Sequence, residues 1–381
     1  MKKKILMLLS YLLVATLASA VTFGLFVREP EYSKLQRLED LIEERFIGES
    51  DRTAMEDAAA EAMIDSLGDR WSYYIPASEY AAYREQVENA YVGIGITITV
   101  EEDGSGFRVM EVVAGGPAEE AGIQVDDVVT AVAGVSTAGM EATGAKDYVR
   151  GEAGTYVEIT LRRGEETLVL QVERRRIETP VATWQMLEGN VGLIKIENFD
   201  LRCAQETLKG IEELLSQGAR ALIFDVRGNP GGYASEMVAI LDYLLPEGEL
   251  FRTVDYAGRE NVDYSDADFL DIPMVVLVSS ESYSAAEFFA AALRDYDAAV
   301  IVGEKTSGKG YFQNTFELGD GSAVGLSVGK YFTPGGISLA GIGVTPDVEV
   351  TVDEETWIDI YYGYLEPEED PQIQAALDLL R

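Results

Sequence analysis

The 381 residues predict an α+β multidomain chain: helices first, then a small β-barrel-like module, then an α/β layer. Three observations carry that expectation. Apolar residues recur at helical spacing up to residue 90, alternate with polar ones from 91 to 175, and gather into short continuous runs between helical stretches from 176 to 350. Periods of 3.6 and 2 mark helices and half-buried strands, and unbroken apolar runs mark strands covered on both faces. With 47% apolar and 25% charged residues, the composition is globular and supports a sizeable core.

The chain opens on MKKK, followed by 23 uncharged residues from Ile5 to Val27. That run is long enough to cross a bilayer as a helix. The lysines favour the cytoplasmic side, which puts the rest of the chain outside the cytoplasm. Residues 1–27 are therefore expected to be a single-pass membrane anchor. A cleaved leader, with ASA at 18–20 as its site and a secreted product, is the alternative.

Residues 28–90 read as a helical region. Leu35, Leu38, Leu41 and Ile42 fall on one face of EYSKLQRLEDLIEERFI, and a second helix runs to Gly68. A third, PASEYAAYREQVENA, has Pro76 near its start and Ser78 as its expected cap. Paired amphipathic helices of this kind suit a homodimer.

In residues 91–175, YVGIGITITVEEDGSGFRVMEVV is a hairpin about EDGSG, AGGPAEEAGIQVDDVVTAVAG is a turn, a short helix and a strand, EATGAKDYVRG is a second short helix, and TYVEITLRRGEETLVLQVERR is a closing hairpin. On YVGIGI and GGPAEEAGIQVDDVVTAVAG this segment resembles a PDZ domain of the kind found in exported proteases. The resemblance implies that the loop of Gly93, Ile94, Gly95 and Ile96 holds a peptide's C-terminal carboxylate on its backbone N–H groups. The peptide then adds as a strand to the sheet edge. Glycine at 93 and 95 permits the close backbone approach.

Residues 176–350 alternate strands (NVGLIKIENF, RALIFDVRGNPGGY, IPMVVLVSS, AAVIVGE) with helices (CAQETLKGIEELLSQGA, ASEMVAILDYLLP, SAAEFFAAALRDYD). Such alternation implies a partly parallel sheet with function at the loops after the strand ends. Residues 351–381 read as an acidic tail with one short helix.

Composition excludes several chemistries. A net charge of −37 argues against nucleic acid, which needs clustered cations. With no histidine there is no Ser-His-Asp or Cys-His catalysis and no two-histidine zinc helix, and no metal or cofactor is expected. The single cysteine, Cys203, can form no disulfide within the chain and reads as a buried inert thiol. VGEKTSGKG nearly matches a phosphate-binding loop, but Gly310 stands where that motif needs Ser or Thr, and strands rather than a helix follow.

One serine is displayed before a helix, Ser284 in SESYSAAEFFAAALRD, and needs a base. Lys309, between Gly308 and Gly310 and followed by Tyr311 and Phe312, is the candidate. A lysine in dry surroundings loses its preference for the ammonium form, and Ser-Lys pairs are a known variant of the serine triad. If 309–313 is extended, Gln313 shares a face with Lys309 and can orient the amine. The glycines of FDVRGNPGGY offer Gly231 and Gly232 as N–H donors to an oxyanion, alongside Ala285.

On DVRGNPGG, VLVSSESYSAAEFFAAALRD and VGEKTSGKGYFQ, the chain resembles the carboxyl-terminal processing peptidases, or tail-specific proteases, over nearly its whole length. The resemblance implies a serine endopeptidase of proteins or peptides with free C-termini, with Ser284 as nucleophile, Lys309 as general base and Gln313 positioning the lysine. The separation of 25 residues from Ser284 to Lys309 agrees with the family. Tyr283 and Ala286 depart from its usual serine–alanine alternation. Asp295 matches a recurrent acid and reads as structural. The alternative is a PDZ scaffold on a catalytically inactive protease fold.

Overall fold

The computed structural model describes residues 14, 16, 33–101 and 103–381. The apolar run 5–27 lies outside them except for Val14 and Thr16, and so does the expectation of an anchor or leader. Among the described residues no helix is long and apolar enough to cross a membrane.

The chain divides into two compact units, residues 1–74 and 75–381. In the first, α1 (Lys34–Arg45) starts at a Ser33–Gln36 capping box, and α2 (Arg52–Asp65) is capped by the Asp51 carboxylate. Of the predicted apolar stripe, Leu35 and Leu38 are exposed and Leu41 and Ile42 half-buried, and neither helix has a fully buried residue. Strand β1 (Tyr73–Ile75) begins where this unit ends.

The second unit opens with α3 (Ala77–Val87). Ser78 is not its cap: Pro76, fixed at φ −58° and extended in ψ, takes the cap position and leaves Ser78 inside the first turn. The module that follows is a sheet in the order β3 (Ile96–Val100), β4 (Phe107–Val112), β5 (Val128–Val132), β7 (Tyr156–Arg163), β8 (Glu166–Glu173). The short β6 (Val135–Ser136) pairs with β5, and helices α4 (Pro117–Glu120) and α5 (Ala142–Val149) complete the module. A ribbon of β2 (Ala90–Gly93) and β9 (Arg175–Glu178) closes its neck. Alternation along β7 puts Val157, Ile159 and Leu161 into one core with Phe107, Val129 and Val172. Strand β3 is the sheet's edge.

The α/β domain is a six-stranded sheet, β10 (Ala182–Leu187), β11 (Val191–Ile196), β12 (Ala221–Asp225), β15 (Met274–Val278), β16 (Ala299–Gly303), β19 (Val348–Glu349), parallel except for β10. Its central strands β12 and β15 are buried on both faces, as their unbroken apolar runs require. Ile194, Phe224, Val276 and Val278 face α6 (Cys203–Ser216), α7 (Ala234–Leu244) and α8 (Ala285–Asp295). Leu193, Ile223, Val275 and Leu277 face the opposite way, onto Ile373, Ala376 and Leu377 of α10 (Pro371–Leu379). The predicted acidic tail is thus a structural layer: its two helices, α9 (Glu354–Tyr362) and α10, include the one that covers the sheet's second face. A separate antiparallel sheet joins β13 (Gly248–Asp255), β14 (Glu260–Ser265), β17 (Tyr311–Glu317) and β18 (Ala323–Phe332). Cys203 is fully buried, and burial pushes its thiol well above the usual range.

Candidate active site

Three loops at the C-terminal ends of the neighbouring parallel strands β12, β15 and β16 carry the residues singled out from sequence, where open parallel sheets place their sites. Residues 226–233 follow β12, 279–284 follow β15, and 304–310 follow β16.

Ser284 occupies the N-cap position of α8 at φ 60°, ψ −125°, and is 4% exposed. A non-glycine residue held at positive φ stores backbone strain, which surrounding contacts must sustain. They do so through one side chain. Glu287, fully buried one turn into α8, accepts the N–H of Ser284 on Oε2 (2.9 Å) and the N–H of Lys309 on the same oxygen (2.8 Å). Its Oε1 accepts the N–H of Gly308 (2.7 Å) and the Thr306 hydroxyl. One carboxylate therefore ties the serine's backbone to the lysine's. Burial pushes the Glu287 carboxyl upward, and these four donors pull it back. Thr306 in turn exchanges hydrogen bonds with Val344, and Gly308 O accepts from Gly341 N. Gly310 meets Ala340 so closely that a Cβ would lie 2.2 Å from the Ala340 nitrogen.

Lys309 is half-buried with Nζ 5.8 Å from the centroid of the Tyr283 ring. It lies in the loop, not in a strand: β17 begins at Tyr311, and a register shift falls between Phe312 and Gln313. Lys309 and Gln313 therefore do not share one face of a continuous strand, contrary to the expectation from alternation. The Gln313 amide donates to Ser327 Oγ (2.9 Å) and Tyr311 O (3.2 Å). The aromatics expected to surround the amine do other work. Tyr311 has Lys330 near its ring, and Phe312 packs against Tyr331. Tyr331, gripped by Phe251, Phe288 and Phe312, has its phenol pushed upward by burial and pulled back by the Ser284 side chain.

Gly231 and Gly232 lie beside the serine at φ 91° and 147°. A Cβ on Gly231 would stand 2.7 Å from Ser284 Cβ and 3.0 Å from Ala285 N, so glycine is obligatory there. The Gly231 N–H, expected to be an oxyanion donor, instead gives its hydrogen bond to Asn229 Oδ1 (2.8 Å). Among the described residues no partner takes the N–H of Gly232 or Ala285. Asn229 is a hub that the sequence reading missed: its Nδ2 donates to Ile196 O and its carbonyl accepts from Tyr283 N. Buried Arg227 anchors the start of the loop, bidentate on Asp225 (2.7 and 2.9 Å) and bonded to Asp370 and Gln372 of the C-terminal layer. Asp295 accepts from Gly335 N (2.8 Å), a structural contact.

In the module, Gly93 ends β2 opposite Arg175, and Gly95 turns at φ 80°. The Ile94 side chain is buried in the module core and Ile94 O accepts from Ala118 N, which fixes the loop's backbone. Ile96 opens β3. All four line a cavity of about 670 Å³ together with Ile98, Val149 and, from α3, Ala82, Glu85 and Gln86. Among the described residues no cluster of His, Cys, Asp or Glu is arranged to hold a metal ion.

A peptide-groove module beside an α/β domain that presents a strained serine at a buried helix defines the class, a PDZ-bearing serine peptidase. Comparison with known proteins narrows it. Residues 190–350 match peptidase family S41, and residues 108–163 match the PDZ domain. Over its whole length the chain is 29% identical to a carboxy-terminal processing protease, CtpA, of Bacillus subtilis, covering 85% of that protein. It is 32% identical to a carboxyl-terminal-processing protease of Picosynechococcus, with 89% of this chain and 83% of that protein aligned. An S41 protease from Bacteroides fragilis, 16% identical, superposes at a TM-score of 0.55 over 92% of this chain and 98% of its own; that likeness speaks for the fold. The chain belongs to the carboxyl-terminal processing proteases of peptidase family S41.

Proposed function

We propose that this chain cleaves protein or peptide substrates, captured by their free C-termini, through a Ser284–Lys309 dyad and an acyl-enzyme. The observation that carries the reading is the shared grip of Glu287 on the backbones of Ser284 and Lys309, which fixes nucleophile and base loops to one another. Neutral Lys309 takes the Ser284 proton as Oγ attacks the scissile carbonyl. The N–H groups of Gly232 and Ala285 receive the oxyanion, and Gly231 joins them if its turn releases Asn229. The resulting ammonium gives its proton to the departing amine, and water, activated by the same lysine, resolves the ester. Gln313 positions the lysine from β17. Gly93, Ile94, Gly95 and Ile96 hold the substrate's terminal carboxylate in the PDZ groove.

The lysine-led apolar run supports a single-pass anchor with the catalytic region outside the cytoplasm; secretion after cleavage of a leader is the alternative. The exposed leucines of α1 support a homodimer.

Lys309→Ala is expected to abolish cleavage of an unstructured substrate with folding intact, and retained cleavage overturns the base. A fluorophosphonate probe is expected to label Ser284 in the parent. Failure to label favours the inactive scaffold.

A further inference from the structure

The Tyr283 ring faces two ways. Lys309 Nζ stands over it, and the ring also walls a second cavity of about 720 Å³ that the mechanism does not use. Gly228 and Pro230 of the loop after β12 form one side of this cleft, and Trp357, Tyr361 and Tyr362 of α9 form the other. Those aromatics form a connected series, Trp357 to Tyr361 at 6.0 Å and Tyr361 to Tyr362 edge-on at 5.2 Å. Gly228 sits under Tyr361, where a Cβ would stand 3.2 Å from the ring. Tyr361 and Tyr362 are nonetheless more than half exposed. Aromatic surface of that extent, unburied beside a reactive serine, marks a recognition site. The charges at the base of the cleft are already committed: Lys195 to Glu197 (2.8 Å), Arg227 to Asp225 and Asp370. What remains open to a ligand is ring surface, the Gln86 amide and acidic Glu281.

Gln86, in the last turn of α3, lines both this cleft and the PDZ groove. The two cavities therefore meet at one side chain. A chain whose C-terminus lies in the groove can extend past Gln86 into the cleft walled by Tyr283, next in sequence to Ser284. The residues in between are those on the leaving side of the scissile bond.

We propose that the α9 cleft is the subsite for the leaving segment of the substrate, an extended peptide stretch carrying an aromatic or aliphatic side chain against Trp357 and Tyr361. The inference rests on the peptidase reading above and adds a specificity element to it. The volume suits a few residues. Exposed Glu281 at the rim disfavours acidic residues there and leaves basic ones tolerated. Because Tyr283 is shared, a side chain filling the cleft also alters the surroundings of the lysine amine.

The test uses the full chain in detergent and peptides with one common C-terminus and one common acyl side, differing only two to four residues after the cut, with Phe, Gly or Asp there. The parent is expected to prefer Phe over Gly and Gly over Asp in kcat/KM. Trp357→Ala with Tyr361→Ala is expected to raise KM for the Phe peptide roughly tenfold and to level the Phe and Gly peptides. Labelling of Ser284 by a small fluorophosphonate, and binding of a short C-terminal peptide, should stay as in the parent. An unchanged Phe-to-Gly ratio overturns the subsite. Loss of probe labelling in the parent overturns the peptidase reading instead. Tyr362→Glu, at a position more than half exposed, is expected to shift preference towards a peptide with Lys in place of Phe; no shift counts against the subsite even if the double variant misfolds. A role in leaving-side binding also predicts that the pH dependence of kcat/KM differs between the Phe and Gly peptides in the parent and coincides in the double variant. Coincident profiles in the parent remove the link through Tyr283.

Discussion

The PDZ module and the peptidase sheet are built from strands of similar length but opposite accounting of faces. β7 buries every second residue and shows the others to solvent; β12 and β15 bury every residue, because helices cover both faces. The difference teaches where each region can yield. A one-faced sheet with an open edge strand accepts a peptide without disturbing its core. A sheet packed on both sides holds its end loops against displacement, and that rigidity keeps Ser284 at a backbone conformation it would otherwise leave.

The sharpest way to break this comparison is Glu287→Gln. A carboxamide cannot accept from four donors, and its NH2 would face N–H groups. Loss of kcat/KM on the order of 10³-fold is expected, together with destabilisation seen in denaturant unfolding. A smaller loss would show that the sheet alone holds the two loops. Phe107→Ala attacks the other region. Emptying the module's fully buried ring is expected to cost about 3–4 kcal/mol. Cleavage of C-terminally anchored substrates should fall while probe labelling of Ser284 survives; loss of both would mean that the two regions fold as one.

Asp200 gives a pH test. Burial, with Glu236 nearby, pushes its carboxyl up to about 7. A group whose folded pKa is raised adds stability that is full below its unfolded value, near 3.8, and is lost as pH rises towards 7. Asp200→Asn should therefore stabilise the chain at pH 8 by up to about 4 kcal/mol and change little at pH 4. Equal stabilisation at both would sever the effect from titration. The smallest effect expected is from Gly95→Ala. At φ 80°, with a Cβ 3.1 Å from Ile177, it should weaken binding of free-carboxylate peptides by about 1 kcal/mol or more. Amidated peptides should be indifferent to it.

Periodicity made the module's hairpins and the two-face-buried strands legible, because there the side-chain pattern and the burial pattern are one thing. It failed at β13 and β14, where charged residues such as Arg252, Glu260 and Asp263 sit on strands of a separate antiparallel sheet. It also failed at the C-terminus, where sparse apolar residues in an acidic stretch close the main core. In the site, Ser284, Lys309 and the glycine loop stood out in the sequence by their chemistry, and the fold brings them to the ends of neighbouring strands. Gln313 was placed by assuming an extended segment that a loop and a bulge interrupt. Glu287 was overlooked although Ser-x-x-Glu before an apolar run is a visible signal; it reads as an ordinary helix start. Asn229 gave no signal beyond its place in a glycine turn, since two of its partners, Ile196 and Tyr283, come from distant segments.

The positive φ at Ser284 has a consequence for which side chains can serve there. A branched Cβ is barely tolerated in that conformation. Threonine keeps the hydroxyl but not the backbone, so Ser284→Thr should be inert, whereas the unbranched Ser284→Cys retains the main-chain geometry. This scaffold is thereby closed to the route by which a hydroxyl nucleophile is most simply exchanged for its nearest chemical relative.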